Sequence, residues 1–260
     1  MTRGDERIRT LAAIRESLRD LVADGIDFVP RPPRSKAAPA AQPKAAAAVG
    51  GFRPRVAPLA APSHVGDAAA EKQSRLDALR AEIGDCRRCT LCEKRKRVVF
   101  GEGHPDARVV FVGEGPGEEE DKSGRPFVGR AGELLTKMIE AVGWRREDVY
   151  ICNIVKCRPP GNRDPLPLEV STCEPFLAAQ LRAIAPAAIV TLGKPAISAL
   201  LGRVVAITKM RGRWLEWQGV PVMPTYHPAY LLRNYTRETR QAVWDDLRAV
   251  RERVEGSAAS

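Results

Sequence analysis

The chain has 260 residues, six cysteines, a formal charge of +10 and a pI near 9.6. That length suits one sizeable core plus extensions, since single cores are usually built from roughly 100 to 200 residues, and it leaves no room for a second large one. No apolar run approaches the roughly 18 residues that span a bilayer, and the cysteines follow no basic-apolar-small leader, so a reducing, cytoplasmic setting without membrane insertion is expected.

At the start, Ile8, Leu11, Ile14, Leu18, Leu21 and Val22 recur at helical spacing among charges, which predicts one amphipathic helix within residues 1–27. That helix either packs on its own domain or docks a protein partner. Residues 28–70 are rich in Ala and Pro and poor in large apolar side chains, so they cannot bury enough surface to offset ordering and read as a disordered linker. Six basic residues there (Arg31, Arg34, Lys36, Lys44, Arg53, Arg55) face one acidic Asp67, so half the net charge belongs to this segment. The rest still favours a polyanionic partner.

Residues 71–255 read as the folded domain, with 256–260 as a tail. Cys86-x2-Cys89 opens it, extended by Cys92, and Cys157 and Cys173 form a distant second pair. A close pair plus a distant pair can complete a four-thiolate shell, and spacing alone suits structural zinc as well as iron-sulfur. The run Lys94-Arg95-Lys96-Arg97 is either a phosphate contact or a solvated surface.

Four short apolar runs follow, Arg108 to Gly113, Val149 to Val155, Ala187 to Gly193 and Val220 to Tyr226, as expected of strands covered on both faces. Between them, Leu134, Leu135, Met138, Ile139 and Val142 share a helical face ended by Gly143. Further helices are expected over much of Leu168 to Ala185, from Pro195, and through Val243, Leu247, Val250 and Val254. Arg211 to Met223, centred on Gln218-Gly219, suggests a hairpin. The fold class is α/β, a three-layer α/β/α sandwich around a mainly parallel four-stranded sheet.

Ligands bind outside the carboxyl ends of such strands, and the unusual residues gather there. GEGPG (Gly113 to Gly117) follows the first strand, Asn153 ends the second, and His227 follows the fourth. GEGPG lacks the spacing of dinucleotide or NTP loops and taken alone can be a sharp turn. Beside it lie five carboxylates, Glu114, Glu118, Glu119, Glu120 and Asp121, of which at least two are expected to serve salt bridges. His104 suits a turn.

The segments GEGPGEEEDKSGRPFVGRAGELL, VYICNIVKCRPPGNRDPLP and MPTYHPAYLLRN resemble the family 4 uracil-DNA glycosylases, the iron-sulfur branch of that superfamily, from about Cys86 to the C-terminal helix. The resemblance implies uracil removal from DNA by a monomer. It also implies a [4Fe-4S] cluster on Cys86, Cys89, Cys157 and Cys173, with Cys152 in the core and Cys92 spare. Gly113 and Gly115 would let the backbone approach the base, Phe127 would stack on it, Asn153 would read its edge, and Glu120 would crowd C5 against the thymine methyl. His227 would donate to the developing O2 anion, and Glu114 would act on water or the cationic sugar. Tyr230 with Leu231 or Leu232 would fill the gap in the stack, while Arg233 and Arg237 hold phosphates. Two other classes stay open: a protein that binds or covalently traps uracil-DNA without turnover, and a metal-stapled partner module.

Overall fold

The protein is described from a computed structural model covering residues 65–256; the amphipathic helix expected within residues 1–27 and most of the Ala/Pro-rich segment lie outside the described residues. Helix α1 runs Val65–Ile83, so residues 65–70, read from composition as the end of the linker, are helical. Ala68 to Ala70 are strong helix formers. Lys72 then fixes the helix to the domain, its Nζ donating to the Ile184 carbonyl and the Asp106 carboxylate, both at 2.6 Å.

The elements that follow are β1 (Glu102–Gly103), β2 (Val109–Gly113), α2 (Glu118–Ser123), α3 (Arg130–Ala141), β3 (Tyr150–Asn153), α4 (Pro167–Ile184), β4 (Ala188–Leu192), α5 (Gly193–Leu201), α6 (Ile207–Met210), β5 (Leu215–Trp217), β6 (Val220–Thr225), α7 (Pro228–Arg233) and α8 (Arg237–Gly256). Sheet order is β1-β3-β2-β4-β6-β5. The inner four strands are the four expected ones, all parallel, and antiparallel edge strands extend the sheet to six. Strand β1, two residues long, is too short to show any alternation. The hairpin joining β5 to β6 turns on Gln218 and Gly219 with φ of 48° and 83°, the paired positive values of a two-residue turn that follows the sheet twist.

Successive residues of each inner strand feed opposite cores. Val110, Val112 and Ile189 pack with Leu76, Leu177, Leu181 and Ile197 from α1, α4 and α5. Val109, Phe111 and Val190 pack with Leu135, Ile139, Leu247 and Val250 from α3 and α8. Both faces are therefore covered, which is why these strands read as unbroken apolar runs. Helix α5 starts at Gly193, two residues before Pro195, because proline is tolerated in a first turn whose N–H groups need no helical partner. No helix among the described residues is long and apolar enough to cross a membrane.

Candidate active site

The parallel register sets Gly113 directly beside Asn153 at the carboxyl ends of β2 and β3. Two hydrogen bonds continue the ladder past them, from the Ile154 N–H to the Gly113 carbonyl at 3.0 Å and from the Val155 N–H to the Glu114 carbonyl at 3.2 Å. Asn153 is 1% exposed, and its Oδ1 accepts no hydrogen bond. A buried acceptor without a donor costs free energy, so this oxygen marks a place for a ligand N–H.

Phe127 closes on the same point. A Cβ on Gly113 would lie 2.4 Å from Asn153 Oδ1 and 2.4 Å from Phe127 Cζ, so only glycine lets the amide and the ring converge. Phe127 itself holds φ of 51°, a left-handed conformation that a bulky residue adopts only when its surroundings enforce it. Gly132 leaves room for it, because a Cβ there would meet the Phe127 carbonyl oxygen at 1.9 Å. Sequence reading singled out neither feature, since the GRAG run looks like an ordinary helix start.

Glu120 has a structural task beside the one the resemblance implies. Its Oε1 accepts from the Val128 and Gly129 N–H groups at 2.8 and 2.9 Å, and its Oε2 accepts from Gly117 N–H at 3.1 Å. The carboxylate thus ties the start of α2 to the turn after Phe127, and its oxygens are spent on backbone. Asp121, 2% exposed, accepts from the Lys96 and Arg97 N–H groups; Glu118 and Glu119 pair with Lys122 at 2.8 and 2.9 Å. Four of the five carboxylates are structural.

Glu114 is the exception. Half-buried, it has a pKa pushed up to about 7, first by desolvation and then by the charge and hydrogen bonding of Asp164. Asp164, fifty positions away, carries no sequence cue. Its loop is fixed by Arg163, which bonds the Asp164 carbonyl at 2.9 Å and the Glu169 carboxylate at 2.8 and 2.7 Å.

On the fourth strand, Thr225 donates to the buried Asp246 at 2.7 Å, and Arg211 holds the same carboxylate at 2.6 Å. This fixes the chain just before His227. Burial, reinforced by the Arg233 charge, pushes the His227 pKa down to about 4. Its Nδ1 accepts from Ala229 N–H at 3.1 Å, so the neutral ring carries its proton on Nε2 and is a donor there. The ring lies 5.7 Å from that of Phe127. His104 accepts from Asp106 N–H through Nδ1, the expected turn role.

Tyr230, Leu232 and Arg233 of α7 face solvent, with Tyr230 stacked at 4.9 Å on Tyr226. Leu231 does not: at 2% exposure it belongs to the core beneath α7, which removes it from any DNA-facing role. A helix of six residues gives too few turns for spacing to tell the two leucines apart.

Cys86, Cys89, Cys157 and Cys173 line one cavity together with Arg88, Arg95, Lys156 and Phe176. Cys92 is outside that lining, and Cys152 is buried in β3. Among the described residues no three His, Cys, Asp or Glu side chains are placed to hold a single metal ion. Burial pushes the Cys157 thiol up to about 12 and raises those of Cys89 and Cys173. Arg95 has a 4% exposed side chain and donates to Cys157 Sγ at 3.4 Å and to Asp85 at 2.6 Å. It therefore leaves the basic run, in which Lys94, Lys96 and Arg97 remain exposed.

A sequence model of the uracil DNA glycosylase superfamily matches residues 100–248. The type-4 uracil-DNA glycosylase of Thermotoga maritima is 52% identical over 178 residues, 68% of this chain and 93% of that protein. The type-4 enzyme of Sulfurisphaera tokodaii is 44% identical over 186 residues, covering 68% of this chain and 84% of its own length. The type-5 uracil-DNA glycosylase of Pyrobaculum aerophilum is 33% identical over 192 residues, covering 67% and 84% respectively.

Proposed function

The chain belongs to the uracil-DNA glycosylase superfamily, and from that premise we propose that it is a DNA-repair hydrolase that cleaves the N-glycosidic bond of deoxyuridine, adding water to release uracil and leave an abasic site. The observation that carries this reading is the buried, unpartnered Asn153 Oδ1 beside the Phe127 ring and the bare Gly113 backbone. Uracil supplies an N3–H for that oxygen and a flat face for the ring. Cytosine has no proton at N3, so it would leave the acceptor unsatisfied.

Cleavage builds negative charge on the departing base and positive charge on the sugar, so preorganised electrostatics carry most of the work. His227 Nε2–H donates to uracil O2 as charge develops, and the ring stays neutral throughout. Glu114, ionised, faces the sugar and orients or deprotonates the water. Outside, Leu232 and Tyr230 enter the gap left by the extruded nucleotide, and Arg233 holds phosphate. Gly113→Ala should lower uracil release roughly 10²-fold, because its methyl displaces both base-contacting side chains; single-turnover rates check this. Leu231→Ala should cost about 2 to 5 kcal/mol of stability as a core truncation. Leu232→Ala should shift stability by no more than about 0.5 kcal/mol yet slow excision from duplex DNA more than from single strands, where less unstacking is needed. Thermal melts beside paired substrate assays separate the two.

The four thiols surround a cavity instead of converging on one point, and three cationic residues, Arg88, Arg95 and Lys156, line it. That arrangement supports a [4Fe-4S] cluster on Cys86, Cys89, Cys157 and Cys173, in keeping with the type-4 relatives. When bound, the cluster supplies a covalent staple between segments far apart in sequence. The reading extends to a cytoplasmic monomer acting on uracil in DNA. Its test is incubation of anaerobically purified protein with a labelled oligonucleotide bearing one uracil, beside thymine and cytosine controls. Uracil-dependent alkaline scission with free uracil is the expected result; tight binding or a covalent adduct without turnover overturns it.

A further inference from the structure

Lys156 is fully buried at 0% exposure, and its Nζ donates to the Asn153 carbonyl at 2.8 Å. No carboxylate among the described residues lies within ion-pair distance of it. The same residue lines the four-cysteine cavity, where its charge and its backbone N–H both act on Cys173. A buried ammonium satisfied only by a carbonyl is costly and calls for an anion. Four thiolates around a [4Fe-4S] core carry a net double negative charge, and of the three cationic residues in the lining, Arg88, Arg95 and Lys156, Lys156 is the fully buried one. Nothing in the uracil-binding reading uses this lysine.

We propose that Lys156 is the internal counter-charge of the cluster and the positioning residue that couples the cysteine cavity to the base-reading end of β3. The ammonium holds the peptide of the residue that reads uracil, and the same residue borders the cavity that would hold the cluster. Loss of the cluster's charge therefore releases the lysine and loosens Asn153. Ion pairing at a metal ligand shell commonly tunes retention of the metal and the set of the ligands. The inference rests on the cluster assignment, so iron and sulfide in the wild type are measured first.

Full-length wild type, Lys156→Met and Lys156→Arg are reconstituted anaerobically with iron and sulfide, and cluster bleaching by a chelator is followed by absorption. Wild type without iron and sulfide overturns the cluster assignment and this inference with it; the other arms concern Lys156 alone. In the Met variant bleaching should accelerate roughly 10-fold or more, and single-turnover uracil release with the cluster still intact should slow by about the same factor. Affinity for a uracil-free oligonucleotide should hold. The Arg variant should recover most of both losses. A Met variant that folds by circular dichroism but takes up no cluster, while Arg does, supports the proposal. If Met does not fold, Arg decides: retained cluster and uracil release support a role for charge. Wild-type bleaching and turnover in Met, or equal failure of Met and Arg, overturns it.

Discussion

Asn153→Ala should lower single-turnover uracil release about 10³-fold, the scale for removing one preorganised hydrogen-bonding group from an active site, without lowering the melting temperature. Both halves come from the same atom. Asn153 Oδ1 is buried and unpartnered in the free protein, so the fold pays a desolvation cost for it. Truncation to alanine removes that cost while keeping the bond from the Ile154 N–H to the Gly113 carbonyl and that from Lys156 Nζ to the Asn153 carbonyl. An equal or higher melting temperature beside a large kinetic loss is the signature of a group kept for its ligand. Ordinary core packing would show the reverse, a lower melting temperature with uracil release intact, and that pairing would remove Asn153 from the site.

The sheet and the strand-end position of Asn153, Glu114 and His227 were legible because parallel strands buried on both faces leave unmistakable apolar runs, and because such sheets bind ligands at one edge. What stayed hidden depends on contacts between segments far apart in sequence. Glu120 reads as a pocket residue, and nothing in the sequence shows that its carboxylate also gathers three backbone donors from the turn before α2 and the turn after Phe127. Arg95 sat in a four-residue basic run and looked like a surface charge, yet it turns inward to Cys157. Lys156 and Asp164 have no motif of their own: one acquires meaning from a cavity, the other from a carboxylate fifty positions earlier. The positive φ of Phe127 and the close approach of its backbone to Gly132, where a Cβ would clash, are steric facts that composition does not reveal.

Glu114→Gln should lower excision roughly 10²-fold to 10⁴-fold, the range for a positioned general base, and should abolish the pH dependence seen in the wild type. Wild-type single-turnover rates should climb through pH about 7, where Glu114 ionises, and level off above it. The direction is fixed by which form works. The carboxylate, not the acid, faces the forming cationic sugar and the water, and one unit below its pKa roughly a tenth of molecules carry it. His227 adds no limb between these values because its pKa lies near 4, leaving the ring neutral and donating from Nε2 across the window. Asp164→Asn supplies the discriminating shift. It removes one like charge that raises the Glu114 pKa but leaves the larger desolvation cause in place, so the midpoint should move down without reaching the ordinary carboxylate range. At acidic pH that variant should then outpace the wild type, an unusual outcome for a substitution at the rim of an active site. A wild-type profile flat between pH 6 and 8, or an unchanged midpoint in Asp164→Asn, would detach Glu114 from the rate and leave His227 and Asn153 to carry the chemistry by electrostatics alone.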